Sequence, residues 1–134
     1  MKAEKLKEIV HLAQKVGYIF IATANADGMP HMAAAGKLEP VAEDCVAVTE
    51  WFCPGTIANL YVNKYISIVI WAKDPDNGYQ LLGRLDKIND LAILDGYAPK
   101  IERTHPVPQI EKQLIIKVEK IIEFKLASHS DIEE

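Results

Sequence analysis

The start of the chain has the pattern of an amphipathic helix. Apolar residues recur at spacings of three and four over the first seventeen positions, and charged residues lie between them. Such spacing places the apolar residues on one face, which can pack on a core. Gly17 follows as a residue type that commonly ends helices. The pattern therefore predicts one helix up to Gly17, with the apolar face Leu6, Ile9, Val10, Ala13 and Val16.

After Gly17 the pattern changes to short segments rich in β-branched and aromatic residues. Turn-forming residues separate them, notably Asn25–Gly28, Ala42–Asp44 and Asp74–Gly78. This combination is typical of antiparallel strands joined by tight turns. The predicted strands are 18–23, 30–35, 45–49, 65–72 and 79–87.

Three further segments complete the predicted elements. Residues 56–62 form a candidate short helix with Thr56 as its cap, and a second short helix is predicted over 89–97. Residues 114–126 fit both a helical stripe and a strand, and their β-branched residues favour the strand. About six strands and a leading helix predict a single domain, 1–134, built as a small antiparallel barrel with peripheral helices.

Composition excludes several classes of protein. The chain has 134 residues, of which 49% are apolar and 25% charged, so it is predicted to fold around one core. A net charge of −4 gives no long-range attraction to nucleic acid. The N-terminus is charged throughout, and no segment reaches membrane-spanning length. We therefore expect a cytoplasmic protein with reduced thiols, without a nucleic-acid or membrane partner, and without a metal site, since its histidines lack ligand spacing.

An ordered set of segments resembles one known family. The set is Gly17-Tyr-Ile-Phe-Ile-Ala-Thr, Ala26-Asp-Gly-Met-Pro-His31, Thr56-Ile-Ala-Asn-Leu60 and Ile66-Ser-Ile-Val-Ile70. In this order the segments resemble the split-barrel flavin-binding family typified by pyridoxamine 5′-phosphate oxidase, and most closely its short FMN-binding members. The resemblance implies a six-stranded antiparallel split β-barrel of Greek-key topology. It also implies a homodimer with FMN at the subunit interface.

The resemblance further implies which residues hold FMN. The strand after the first turn would face the flavin and the ribityl chain, and the segment after the 45–49 strand would give backbone hydrogen bonds to the isoalloxazine edge. The start of the following helix would lie near the phosphate. The implied residues are Met32, Ala33, Ala34, Ala35, Lys37, Thr49, Glu50, Trp51, Phe52, Thr56 and Asn59.

The chemistry of these residues is consistent with a ligand site and also with plain structural roles. Small residues at 33–35 leave room for a flat ring, or let two elements approach closely. Trp51 and Phe52 could cover a ligand or pack in a core or dimer interface. Thr56 could help to bind a phosphate at a helix start, where backbone N–H groups are free, or could simply cap that helix.

Gly55 departs from the family pattern, because many members carry a basic residue near this position. Lys37, Lys64 and Arg84 are the candidates for supplying that charge, and loss of FMN binding is the competing inference. The leading functional hypothesis is a flavin-dependent oxidoreductase with catalytic residues unassigned. A substrate pocket over 89–108 would complete it. The alternatives are a non-enzymatic FMN electron carrier and a barrel that binds haem, a deazaflavin or no cofactor.

Overall fold

One seven-stranded antiparallel sheet and two helices make up the part of the chain that the structure describes. The computed structural model describes residues 2–42, 44–51, 54–94 and 109–132. In these ranges neither helix is long and apolar enough to cross a membrane. The elements are α1 (Lys2–Val16), β1 (Ile19–Ala24), β2 (Pro30–Ala35), β3 (Lys37–Ala42), β4 (Cys45–Trp51), α2 (Pro54–Val62), β5 (Tyr65–Ala72), β6 (Asn77–Leu94) and β7 (Gln109–Glu123).

The strand order is β2-β1-β5-β6-β7-β4-β3, so the two ends of the sheet are β2 and β3. Strands β5, β6 and β7 form a meander, and β4 returns beside β7, which is a Greek-key arrangement. Gly36 alone separates β2 from β3 in the chain. The sheet must therefore curl until its two ends meet at Gly36, although β2 and β3 form no ladder with each other in the described ranges.

The core lies inside the curled sheet and under α1. Ile19 and Ile21 of β1 and Ile68 of β5 are essentially inaccessible to solvent, as are their counterparts on β4, β6 and β7. The apolar face of α1 packs on β3 and β5, with Ile9 fully buried. Burial of each such side chain stabilises the fold by about 1.5–3 kcal/mol.

The structure confirms the predicted fold class, a mainly β split barrel with peripheral helices. The helix ending at Gly17 is confirmed: the Gly17 N–H donates to the Ala13 carbonyl at 2.8 Å, and Gly17 has a φ of 94°. The uncertain segment 114–126 lies largely in strand β7. The barrel has seven strands where six were expected, because residues 37–42 form a separate strand. Pro40 is tolerated there since β3 ends the sheet.

Two local predictions are wrong. Residues 89–94 continue strand β6, because they pair with β7 and are fixed by a Lys112–Asp90 salt bridge of 2.7 Å, and the rest of the predicted helix lies outside the described residues. Helix α2 begins at Pro54, two residues before the expected cap. Proline suits a first helical position, where no N–H is needed. Thr56 is therefore a residue of the first turn, and it is buried.

Candidate functional site

Strand β2 has an open backbone edge. It pairs with β1 from Pro30 to Ala35, and in the described part of the chain it has no strand on its other side. The N–H and C=O groups along such an edge can bond to a ligand as they would to another strand. We call the stretch from His31 to Ala35 the β2 edge. Its four residue steps cover about 14 Å at about 3.4 Å per residue.

The side chains of β2 alternate between two faces. Ala35 is buried in the core and Ala33 packs against it, whereas Met32 and Ala34 are exposed on the outer face. This follows from the strand period of two residues. The four predicted site residues therefore lie close together along the chain, but only Met32 and Ala34 present side chains outward.

One end of the β2 edge lies beside strand β4. Lys37, which follows Gly36, is directly opposite Thr49 in the β3–β4 ladder. Thr49 is buried and Lys37 is exposed. A Cβ added at Gly36 would meet no other atom within 4 Å, so there is open space beside this connection between β2 and β3. The fold thus brings together two of the predicted segments, 32–37 and the end of β4.

The other end of the β2 edge lies at the start of α2. The Asn59 side-chain amide donates to the Thr23 hydroxyl at 3.0 Å, which fixes α2 on β1. Thr23 is opposite His31 in the β1–β2 ladder. A Cβ added at Gly55 would lie only 3.3 Å from the His31 Nε2 atom. The His31 imidazole therefore stands over the first turn of α2, which contains Thr56.

The remaining predicted site residues are only partly located. Glu50 and Trp51 extend the backbone of β4, and Phe52 lies outside the described residues. Among the candidate cations, Arg84 lies on β6 with its guanidinium 3.7 Å from the Glu119 carboxylate. Lys37 is at the Thr49 end of the β2 edge, the opposite end from α2.

Sequence reasoning missed His31 as a candidate site residue and named it only as the last residue of the segment Ala26–His31. The signal for it lies in Gly55, whose lack of a side chain leaves room for the imidazole. Because the two residues are 24 positions apart, only the folded chain shows that they are neighbours.

Two shallow grooves open on the outer face of the sheet. The larger, of about 500 Å³, is bounded by β1, β2, β5 and the residues after β7, and Met32 is the predicted site residue that lines it. The smaller, of about 420 Å³, adjoins it at Ala22 and Ser67. The larger groove is mainly apolar, with a polar pair on its floor in which the Gln80 amide donates to the Ser67 hydroxyl at 2.8 Å.

Two groups with shifted pKa values lie away from the β2 edge. Burial, followed by a hydrogen bond to Asp44, raises the pKa of the Cys45 thiol at the start of β4. A backbone N–H of Leu126, with the Trp71 indole and the Ala127 N–H, lowers the pKa of Asp76 in the β5–β6 turn. In the described ranges no group of three or more potential metal-ligating side chains occurs.

The arrangement suits an extended ligand with a flat ring and an anionic end. Ala34 leaves space over the outer face, and the backbone edge of β2 offers donors and acceptors to a polar ring rim. The first turn of α2 offers the positive end of a helix dipole, with the His31 ring beside it.

Comparison with known proteins gives a family match and a set of shared folds. The family model described as pyridoxamine 5′-phosphate oxidase matches residues 4–125. No curated protein matches the chain.

Solved structures with the same fold carry different names. An FMN-binding protein from Syntrophomonas wolfei subsp. wolfei has a TM-score of 0.67 at 17% identity, covering 94% of this chain and 90% of that one. HupZ from Group A Streptococcus has a TM-score of 0.66 at 19% identity, covering 92% and 97%. HutZ, the heme storage protein from Vibrio cholerae, has a TM-score of 0.56 at 12% identity, covering 92% and 95%. At these identities the likeness concerns the fold alone.

Proposed function

The chain belongs to the pyridoxamine 5′-phosphate oxidase family, and from this premise we propose that it is an FMN-binding homodimeric flavoprotein of the cytoplasm that acts as a flavin-dependent oxidoreductase. The observation that carries the proposal is the β2 edge, the side of β2 that faces away from β1 and has no strand beside it in the described residues, with an outward alanine and a polar group at each end. The FMN-binding protein of the same fold supports it.

Different residues would contact the phosphate and the ring of FMN. The phosphate lies at the first turn of α2, where Thr56 and the backbone of Gly55 face it, and Asn59 holds the helix in place through Thr23. The ring lies over Ala34 towards Lys37 and Thr49, which are paired across β3 and β4. Because His31 and Ala34 point to opposite faces of β2, FMN passes around the β2 edge between the phosphate and the ring. Met32 borders it on the outer face. Ala33 and Ala35 contribute backbone, and their side chains fill the core.

His31 supplies the donor that the family places near position 55. Its imidazole lies against Gly55: a Cβ there would be 3.3 Å from Nε2, a tight contact that a shift of the ring by a few tenths of an ångström would relieve. A ring N–H of histidine can donate to a phosphate oxygen. Arg84 is engaged with Glu119, and Lys37 stands at the ring end of the site. Lys64 follows the C-terminal end of α2, at the other end of the helix from Thr56. His31 is therefore a better candidate than the three basic residues that the sequence offered.

Bound FMN supplies the electron chemistry, and the chain binds and orients it. The backbone of Glu50 and Trp51, with Phe52 beyond it, is assigned to the ring edge. A carrier of electrons and an enzyme differ in whether an organic substrate turns over. Steady-state oxidation of a reduced nicotinamide, with and without an added acceptor, distinguishes the two: turnover supports the oxidoreductase, and its absence supports the carrier.

The test of FMN binding is a titration of the purified protein with FMN and, separately, with riboflavin. We expect quenching of FMN fluorescence at micromolar protein and weaker binding of riboflavin, which lacks the phosphate. Mass spectrometry of small molecules released from the protein identifies any native ligand. A colourless protein that leaves FMN fluorescence unchanged would disprove the proposal.

A second candidate is a barrel that binds a different cofactor, haem or a deazaflavin. Gly55 favours it, since the α2 start carries no lysine or arginine. The heme storage protein of the same fold shows that the architecture accommodates such a function elsewhere. Release of haem or a deazaflavin in the same mass-spectrometric measurement would establish this candidate instead.

A further inference from the structure

The residues after β7 are tied to the β5–β6 turn by one carboxylate. Asp76 accepts three hydrogen bonds of 2.9 Å each, from the Trp71 indole and from the backbone N–H groups of Leu126 and Ala127. Asp76 has a φ of 62°, a conformation that aspartate, asparagine and glycine tolerate better than other residues. A single side chain thus joins strand β5, the turn and the C-terminal segment.

Phe124 fixes the near end of this segment. Its N–H donates to the Gly78 carbonyl at 3.0 Å, and its ring meets Trp71 edge to face with centroids 6.3 Å apart. A Cβ at Gly78 would come within 2.7 Å of the Phe124 carbonyl oxygen, so glycine permits this close approach.

Beyond Phe124, burial contributes little to holding the segment. The Leu126 side chain is 76% exposed in the single chain. Its position depends instead on the backbone hydrogen bonds to Asp76. Hydrogen bonds to a charged acceptor are stronger than neutral ones, and losing the acceptor leaves both N–H groups to water.

The segment forms one wall of the larger outer groove. Phe124, Lys125 and Leu126 line it on one side, facing Phe20 and Met32 across the groove. The β6–β7 ladder ends at Glu123, and Phe124 is held by Gly78 and Trp71. The sheet therefore does not depend on the wall residues beyond Phe124.

We propose that residues Lys125–Ala127 are a strap, fastened by the Asp76 carboxylate, that forms a removable part of the wall of the outer groove. Loss of the Asp76 charge unfastens the strap and widens the groove. This inference concerns the chain itself and does not depend on FMN.

The surrounding charges bear on how pH acts on the strap. Lys125 attracts the Asp76 carboxylate, and its own ammonium group lies 3.0 Å from the Glu123 carboxylate. Lys73 and Asp74 precede Asp76 on the same turn. On the strap side, the His129 ring contacts the Ala127 carbonyl at 2.7 Å. The pKa of Asp76 is lowered in the folded protein, so its contribution is present at neutral pH and is lost as the pH falls through that lowered value.

The experiment compares Asp76→Gly and Asp76→Asn with Asp74→Asn, a matched change on the same turn. Both replacements at 76 tolerate the local backbone conformation. Two quantities are measured on the full chain at neutral pH: hydrogen exchange of the Leu126 and Ala127 amides, and tryptic cleavage after Lys125.

For D76G we expect both rates to rise about tenfold or more, with D76N between it and the wild type, because an amide keeps one acceptor oxygen. D74N should match the wild type, and the β5 and β6 amides should stay protected in every variant. Rates within twofold of the wild type in D76G would overturn the proposal. So would equal loss of protection throughout the sheet, since the strap would then not open separately.

Discussion

At the scale of single residues, the site depends on which face of β2 each side chain occupies. Strand 30–35 was predicted correctly, but the sequence analysis treated the side chains of residues 32–35 as if they all lay on one face of it. The structure separates Ala35, buried in the core, from the exposed Ala34. The assignment of a face needs the register with β1, which no pattern of four small residues determines.

Enlarging these two alanines should therefore have different effects. Ala34→Leu is expected to weaken FMN binding at least about tenfold, with little change in the free energy of unfolding, because the added atoms occupy the outer face. Ala35→Leu overpacks the core and should cost about 1–3 kcal/mol of stability. Denaturant unfolding and FMN titration of both variants check this. Equal loss of stability in both would contradict the assignment of faces.

His31 offers the second residue-scale prediction. His31→Ala should raise the dissociation constant of FMN about tenfold, the worth of one charge-assisted hydrogen bond, and leave that of riboflavin nearly unchanged. The double variant His31→Ala with Gly55→Lys should recover FMN binding, since the space that the imidazole fills becomes free for the lysine. A parallel loss for FMN and riboflavin would mean that His31 acts on the ring or on folding instead.

At the scale of elements, strand pairing decides what local patterns leave open. Residues 89–94 were predicted as helix from their own sequence, yet they extend β6 because β7 lies beside them. The Asn89 side chain bonds to Gln113 at 3.2 Å across the same ladder. The partner of such a segment is distant in sequence, so this outcome could not be derived from the segment alone. The boundaries of β2 and β5, set by clear turn residues, were predicted correctly.

The β6–β7 pair also gives a test of close backbone packing. A Cβ at Gly83 would lie 2.5 Å from the Lys117 carbonyl oxygen and 2.9 Å from an Ile116 methyl carbon. Gly83→Ala should therefore destabilise the protein by about 1–3 kcal/mol. Gly36→Ala is the control, since a Cβ there meets nothing within 4 Å. An equal free energy of unfolding for the two variants would show that β6 and β7 can move apart at Gly83 without loss of stability.

At the scale of the whole molecule, the fold class followed from the order of the elements, and the family followed from the ordered motifs that resemble it. The cofactor did not, because structures of this fold at 12–19% identity bear names as different as an FMN-binding protein and a heme storage protein. The architecture therefore leaves the cofactor of this chain open, and the proposal of FMN rests on residues at the site, such as Gly55 and His31.

The oligomeric state belongs to this scale. We expect sedimentation to give twice the 15.0 kDa chain mass, because Phe20 and Met32 expose apolar surface on the outer face. Phe20→Ser should weaken the dimer, whereas Tyr61→Ser, which changes a more exposed aromatic residue on α2, should not. A wild-type monomer at every concentration tested would exclude the dimer.

The single-residue joint at Gly36 has a consequence for how such a site evolves. Strands β2 and β3 cannot separate at Gly36 unless β2 loses its pairing with β1 or β3 loses its pairing with β4. The backbone therefore fixes the distance between these two ends of the sheet. Substitutions of side chains near Gly36 can then change which ligand the site would accept, while the backbone distances across the site stay the same. An insertion of a few flexible residues at Gly36 would remove that constraint. The strands of the barrel would stay folded, but the site would bind a rigid ligand less tightly.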